Sequence, residues 1–135
     1  MLDSGAGTIV NICSVNFFLP DPGVIDYCAA KAALANFSKA LSLEVGPHGI
    51  RVNTVSPGPV STGLWLGDHG VAATIGQSQG IDAGAIVRQQ ASEAATGRFT
   101  EPHEVADLVV LLASNRAGNV TGADFVIDGG LIKTL

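Results

Sequence analysis

The sequence predicts an α/β fold built on a parallel sheet, and three observations carry that prediction. Apolar runs of strand length alternate with helical periodicity, in the order strand, helix, strand, excursion, helix, strand. Each apolar run is closed by glycine or proline punctuation. The composition is 47% hydrophobic, too apolar for a disordered chain. Alternation of this kind implies parallel strands joined by right-handed crossovers, here within one domain of 135 residues.

Thr8 to Cys13 (TIVNIC) follows Gly5 and Gly7 and reads as a buried strand. Pro20-Asp21-Pro22-Gly23 then marks a loop. From Ile25 to Val45 the pattern is helical: Leu34, Phe37 and Leu41 recur at spacings of three and four, and alanines 29, 30, 32, 33 and 35 favour helix and permit close packing. Gly46-Pro47 is expected to end it. Ile50 to Ser56 is a second strand, stopped by Pro57-Gly58-Pro59. Residues 61–97, rich in Gly, Ala and Gln, form an insertion with short helices expected at Val71–Ile75 and Ala83–Ala95. Excursions of this length are often functional lids. Thr100 is the expected N-cap of the next helix, with Glu101 and Glu104 in its first turn. Val105, Leu108, Val109 and Leu112 give that helix its apolar stripe, and it ends near Asn115. Asp124 to Asp128 is the third strand, closed by Gly129-Gly130.

Several function classes are excluded. The net charge is −5 and the Lys and Arg residues are scattered, so no nucleic-acid footprint is expected. No apolar run approaches the roughly 20 residues that span a bilayer, so no membrane partner is expected. Met1 to Gly7 lacks the basic and apolar regions of a signal peptide, and a cytoplasmic location is expected. Cys13 and Cys28 fit no metal or redox spacing and read as buried free thiols in a reducing compartment. His48, His69 and His103 match no ligand spacing, so no metal is expected. Charged residues make up 14% of the chain, below the ~25% typical of soluble domains, which implies surface covered by other protein.

One constellation carries chemistry. Tyr27 and Lys31 lie four residues apart near the start of the first long helix, hence on one face, one turn apart. Ser14 sits at the carboxyl end of the preceding strand, the edge of a parallel sheet where ligands bind. Moving a phenol's proton near neutral pH takes about 3–4 kcal/mol. An ammonium ion at about 4 Å supplies roughly 4 kcal/mol at an effective dielectric of about 20. One well-placed Lys31 is thus about enough, while Ser14 holds a substrate oxygen and Tyr27 gives or takes its proton. This suits interconversion of an alcohol and a carbonyl, with hydride from a separate cofactor. Alone, a Tyr-x-x-x-Lys pair is more commonly an exposed helical pair, and a lone Ser14 a strand-terminal hydrogen bonder.

The surroundings decide between these readings. Gly7-Thr8-Ile9-Val10-Asn11-Ile12-Cys13-Ser14 is followed by Tyr27-Cys28-Ala29-Ala30-Lys31-Ala32-Ala33, then by Gly49-Ile50-Arg51-Val52-Asn53-Thr54-Val55-Ser56-Pro57-Gly58. Gly97-Arg98-Phe99, Glu101-Pro102-His103-Glu104-Val105-Ala106, Val120-Thr121-Gly122-Ala123 and Val126-Ile127-Asp128-Gly129-Gly130 complete the series. These ordered blocks, and the thirteen-residue step from Ser14 to Tyr27, resemble the short-chain dehydrogenase/reductase family over nearly the whole chain. The resemblance implies a partial Rossmann-like, doubly wound parallel sheet, comprising the last three strands and their helices. It implies an NAD(P)-dependent oxidoreductase with NAD or NADP as cofactor and a small-molecule alcohol or ketone as substrate. It makes Tyr27 the general acid/base and a cofactor-binding residue, Lys31 its charged partner and ligand of the nicotinamide ribose, and Ser14 the substrate-positioning hydroxyl. Pro57 and Gly58 would line the nicotinamide site, the Val60 backbone would meet the carboxamide, and Thr62 would lie beside the nicotinamide or pyrophosphate. The substrate loop would fall within residues 61–97, where Trp65, with Leu64 and Leu66, lines a substrate pocket or simply packs.

The family's N-terminal dinucleotide-binding half has no counterpart here. Gly5-Ala6-Gly7 precedes a strand, whereas a phosphate loop follows one and opens a helix. The residue separating NAD from NADP, and the helical Asn of the family's proton relay, have no counterpart either. The chain is therefore expected to be a truncated form, a mis-called start or a split-gene product, with a bare edge on its first strand. The alternative is a non-catalytic fragment that associates with itself or with full-length relatives. A homo-oligomer is expected, since the Ala-rich face of the Tyr27 helix suits a second subunit, although packing within its own layer explains the alanines equally well.

Overall fold

In the computed structural model, which describes residues 1–134, β1 (Gly7–Ile12), β2 (Ile50–Pro57) and β3 (Asp124–Ile127) form one parallel sheet in that spatial order. Gly7 pairs with Ile50 and Ile12 with Val55 across the first ladder, and Thr54 pairs with Asp124 across the second. The sheet thus brings the carboxyl ends of all three strands to one edge. β1 starts one residue earlier than expected, and its ladder runs on past Ile12 because the Cys13 amide donates to the Val55 carbonyl at 2.7 Å.

Two crossovers cover the sheet. α1 (Ile25–Val45) links β1 to β2, and α5 (Pro102–Ala113) precedes β3. Leu41 and Val45 of α1 pack with Ile9, Ile50 and Val52. Val105, Leu108, Val109 and Leu112 of α5 pack with Val10, Val55, Phe125 and Ile127. Adjacent strand residues such as Ile9 and Val10 point to opposite faces, so the two helices lie on opposite sides of the sheet. Val52 and Val55 are fully buried, each worth roughly 1.5–3 kcal/mol of burial. Arg51 ties the far edge: its guanidinium donates to the carbonyls of Leu112, Ser114 and Val120 and to Thr8 Oγ1. It thereby satisfies carbonyls that the end of α5 leaves free.

α1 does end at Gly46-Pro47, with Val45 its last residue and Gly46 its cap; a separate 3₁₀ turn (Gly46–His48) follows, and the chain leaves at Gly49, whose φ of 72° admits glycine most readily. Several local expectations are corrected. Phe37 does not face the sheet. It is 57% exposed, and the buried positions of α1 are Ser38, Ser42 and Val45. Small hydroxyl residues let the helix approach closely, and Ser38 is satisfied by donating to the Leu34 carbonyl and accepting from Asn11. Cys28 is half-buried rather than buried. The excursion holds α2 (Gly63–Leu66), α3 (Val71–Gln79) and α4 (Ala83–Glu93). Glu101, not Thr100, caps α5. Thr100 instead forms a parallel bridge with Val60 that closes the neck of the excursion.

The cap of α5 makes stability pH-dependent. Glu104 pairs with Arg98 at 2.7 Å and accepts from the Glu101 amide at 2.8 Å. The Arg98 hydrogen bonds, then the backbone N–H, hold its carboxyl down at about 2. A depressed carboxylate stabilises the fold above its unfolded value, and the contribution is lost as pH falls through the folded one. The gap in thermal midpoint between wild type and Glu104→Gln should be full above about pH 5 and close by about pH 2. Thermal melts across that range check it; a gap that persists at the acid end contradicts the ion pair as its source.

Candidate active site

The site is assembled at the carboxyl edge of the sheet. Buried Ser14 follows β1, and its hydroxyl caps a 3₁₀ turn (Val15–Phe17). Ser14 Oγ accepts from the Asn16 amide and donates to Asn16 Oδ1, both at 3.2 Å. Tyr27 and Lys31 occupy the first two turns of α1, which begins beside that turn. The Lys31 ammonium stands 5.5 Å from the centroid of the Tyr27 ring, within cation–π range. It also donates to the Ile12 carbonyl at 2.9 Å, two residues before Ser14.

The end of β1 therefore grips Lys31 twice. Ile12 holds its ammonium, and Cys13 Sγ donates to its backbone carbonyl at 3.2 Å. Burial pushes the Cys13 thiol above its usual value, so it stays protonated and serves as this donor. From the sequence Cys13 reads only as a buried thiol, and Asn16 is not among the candidate site residues. The Ser-x-Asn step after a strand is a recognisable hydroxyl-turn signal for Asn16. The Cys13 contact joins residues eighteen apart and has no local signal.

Pro57 ends β2, the central strand, and the Gly58 amide donates to the Ile127 carbonyl at 3.0 Å. A Cβ on Gly58 would lie 3.0 Å from that of Asp128, so this turn runs against the end of β3. Val60 is held by its flanks: the Thr100 amide donates to the Pro59 carbonyl and the Ser61 amide to the Thr100 carbonyl. Among the described residues the Val60 amide and the Thr62 hydroxyl make no hydrogen bond. Trp65 meets Phe99 edge-to-face at 5.1 Å and lines an apolar cavity of about 390 Å³ within the excursion. It thus both packs and lines a cavity.

The structure brings Tyr27 and Lys31 together and holds Lys31 at the end of β1. It places Pro57, Gly58, Val60 and Thr62 beyond the neighbouring strand at the same edge. Ser14 shares that edge, but its hydrogen bonds go to Asn16. A nicotinamide fits these residues, because a carboxamide acceptor would find the unpaired Val60 amide and a ribose hydroxyl would find the Lys31 ammonium. A pyrophosphate does not: Gly5 turns directly into β1 through a bond from its amide to the Leu2 carbonyl, with no helix behind it.

Comparisons with known proteins follow the same outline. The family model described as enoyl-(acyl carrier protein) reductase matches residues 1–132. A 3-alpha-(or 20-beta)-hydroxysteroid dehydrogenase of Mycobacterium bovis is 36% identical, aligned over 100% of this chain and 45% of its own length. A 2-(S)-hydroxypropyl-CoM dehydrogenase of Xanthobacter autotrophicus is 37% identical over 97% of this chain and 48% of its own. The crystal structure of L-sorbose reductase from Gluconobacter frateurii, complexed with NADPH and L-sorbose, superposes with a TM-score of 0.87 at 36% identity, covering 100% of this chain and 51% of that one. The chain spans about half the length of the relatives it matches.

Proposed function

Because the chain belongs to the short-chain dehydrogenase/reductase family, we propose that it carries the proton-transfer and nicotinamide-facing part of an NAD(P)-dependent oxidoreductase acting on an alcohol or carbonyl. The observation that carries the reading is the double placement of Lys31, against the Tyr27 ring and against the end of β1 beside Ser14. Tyr27 gives its hydroxyl proton to a carbonyl oxygen, or takes one from an alcohol. Lys31 stabilises the phenolate formed as that proton leaves, and its grip by Ile12 and Cys13 fixes the geometry. Ser14 presents a donor to the substrate oxygen by giving up Asn16 Oδ1, while the Asn16 amide keeps its oxygen oriented. The cofactor, when bound, supplies or accepts the hydride. Val60 and Lys31 hold its nicotinamide end, beside Pro57, Gly58 and Thr62.

The pyrophosphate cradle is supplied by protein outside these residues, docked on the bare edge of β1, which pairs only with β2 among the described residues. Titrated with NADH or NADPH in a calorimeter, the chain alone should show no binding at micromolar concentrations. Joined to the dinucleotide-binding half of a relative, it should bind. Tight binding by the chain alone would contradict this division.

A second reading draws on the outer face of α1, where Phe37 and Leu43 are exposed beside Ala33 and Ala40. Such a face suits a homo-oligomer, and association without turnover would make the chain a partner module rather than an enzyme. No helix among the described residues is long and apolar enough to cross a membrane.

A further inference from the structure

The excursion packs mostly on itself: α3 touches α2 and α4, and the largely apolar cavity lies between Trp65, Leu66 and Ala72 on one side and Ala83, Val87 and Arg88 of α4 on the other. The position of α4 therefore sets the width of the cavity. The last carbonyls of a helix lack internal partners and carry partial negative charge, and α4 has no basic residue in its own last turn. A cation reaches it from elsewhere in the chain. After β3 the Asp128 carboxylate accepts from the amides of Gly130 and Ile132, both at 2.8 Å, and folds the tail back. This presents Lys133, whose ammonium donates to the carbonyl of Glu93, the last residue of α4, at 2.9 Å and to that of Gly130 at 2.8 Å. The Thr96 amide completes the junction by donating to the Gly129 carbonyl at 3.0 Å.

From this arrangement we infer that Lys133 is a positioning residue for the cavity: it moors the carboxyl end of α4 to the tail that follows β3. The effect on turnover rests on the oxidoreductase reading, with the cavity as part of the substrate site; the mooring itself does not. Trp65 is the single tryptophan of the sequence and faces the cavity from the side opposite α4, so it reports on the cavity directly. In the chain as it stands, Lys133→Met should speed hydrogen exchange in the last turn of α4 and in residues 94–96 roughly two- to fivefold, the range for a cation lost from a helix carboxyl end. Trp65 emission should shift to the red and become more accessible to acrylamide, while β1 and β2 exchange at the wild-type rate. Lys133→Arg, which keeps a cationic donor, should restore both signals. Unchanged exchange and emission in Lys133→Met would overturn the mooring, as would equal acceleration throughout the sheet. In the chain joined to a dinucleotide-binding half, Lys133→Met should raise the substrate KM with little change in kcat. An exchange response without that rise would overturn the role in substrate binding and leave the mooring intact.

Discussion

Tyr27→Phe should abolish hydride transfer by the joined protein, lowering kcat by about 10²–10⁴, the range that a positioned general acid/base contributes. The substitution removes one oxygen and leaves the ring against which the Lys31 ammonium stands. Cofactor affinity should therefore stay near wild type, because Lys31 keeps its bond to the Ile12 carbonyl and the Val60 amide is untouched. Lys31→Met should lower both turnover and cofactor affinity, since it removes the charge beside the phenol and the donor to the ribose together. Steady-state kinetics with parallel calorimetry separate the two variants. Equal loss of binding in both would contradict the assignment of separate roles.

The largest effect on stability is expected at Asn53. Its side chain is 1% exposed, donates to the Val120 carbonyl at 2.8 Å and accepts from the Ala123 amide at 3.1 Å. It therefore holds the loop that delivers β3 to the sheet. Asn53→Leu keeps the branched shape and strands the Ala123 amide, while the Val120 carbonyl keeps its bond from Arg51. A buried donor left unpaired costs about 1–3 kcal/mol, and the variant should lose about that much. That corresponds to a fall in thermal midpoint of roughly 4–12 °C. Urea unfolding measures it, and a loss below about 1 kcal/mol would mean that water or backbone movement satisfies the Ala123 amide.

The extent of α1 and the parallel sheet were legible because their signals are local. Proline and glycine bracket Ile25–Val45, and three apolar runs carry strand-like sequences. The inward face of α1 was not fully legible. Alanines surround the helix, so the Leu34–Phe37–Leu41 spacing identified the face only in part: Leu41 and Val45 pack on the sheet, Ser38 and Ser42 are buried beside them, and Phe37 is exposed. Thr100 has the chemistry of an N-cap, but its backbone is committed to the bridge with Val60, a contact across forty residues. The site divides along the same line. Ser14, Tyr27 and Lys31 are put forward as site residues by spacing and flanking blocks. The bond from Lys31 to Ile12, the Cys13 grip and the mooring by Lys133 are tertiary contacts with no local sequence signature.

The central proposal is that this chain brings proton transfer and nicotinamide placement to one edge, while the dinucleotide-binding half comes from outside it. The most direct measurement is hydride transfer, followed by the absorbance of the reduced nicotinamide, in the chain joined to the dinucleotide-binding half of a relative. A panel of secondary alcohols and ketones serves as substrate. The account predicts turnover by the joined wild-type chain and none by its Tyr27→Phe variant at matched cofactor affinity. A joined protein that folds, binds cofactor and turns over equally well with phenylalanine at that position would contradict it.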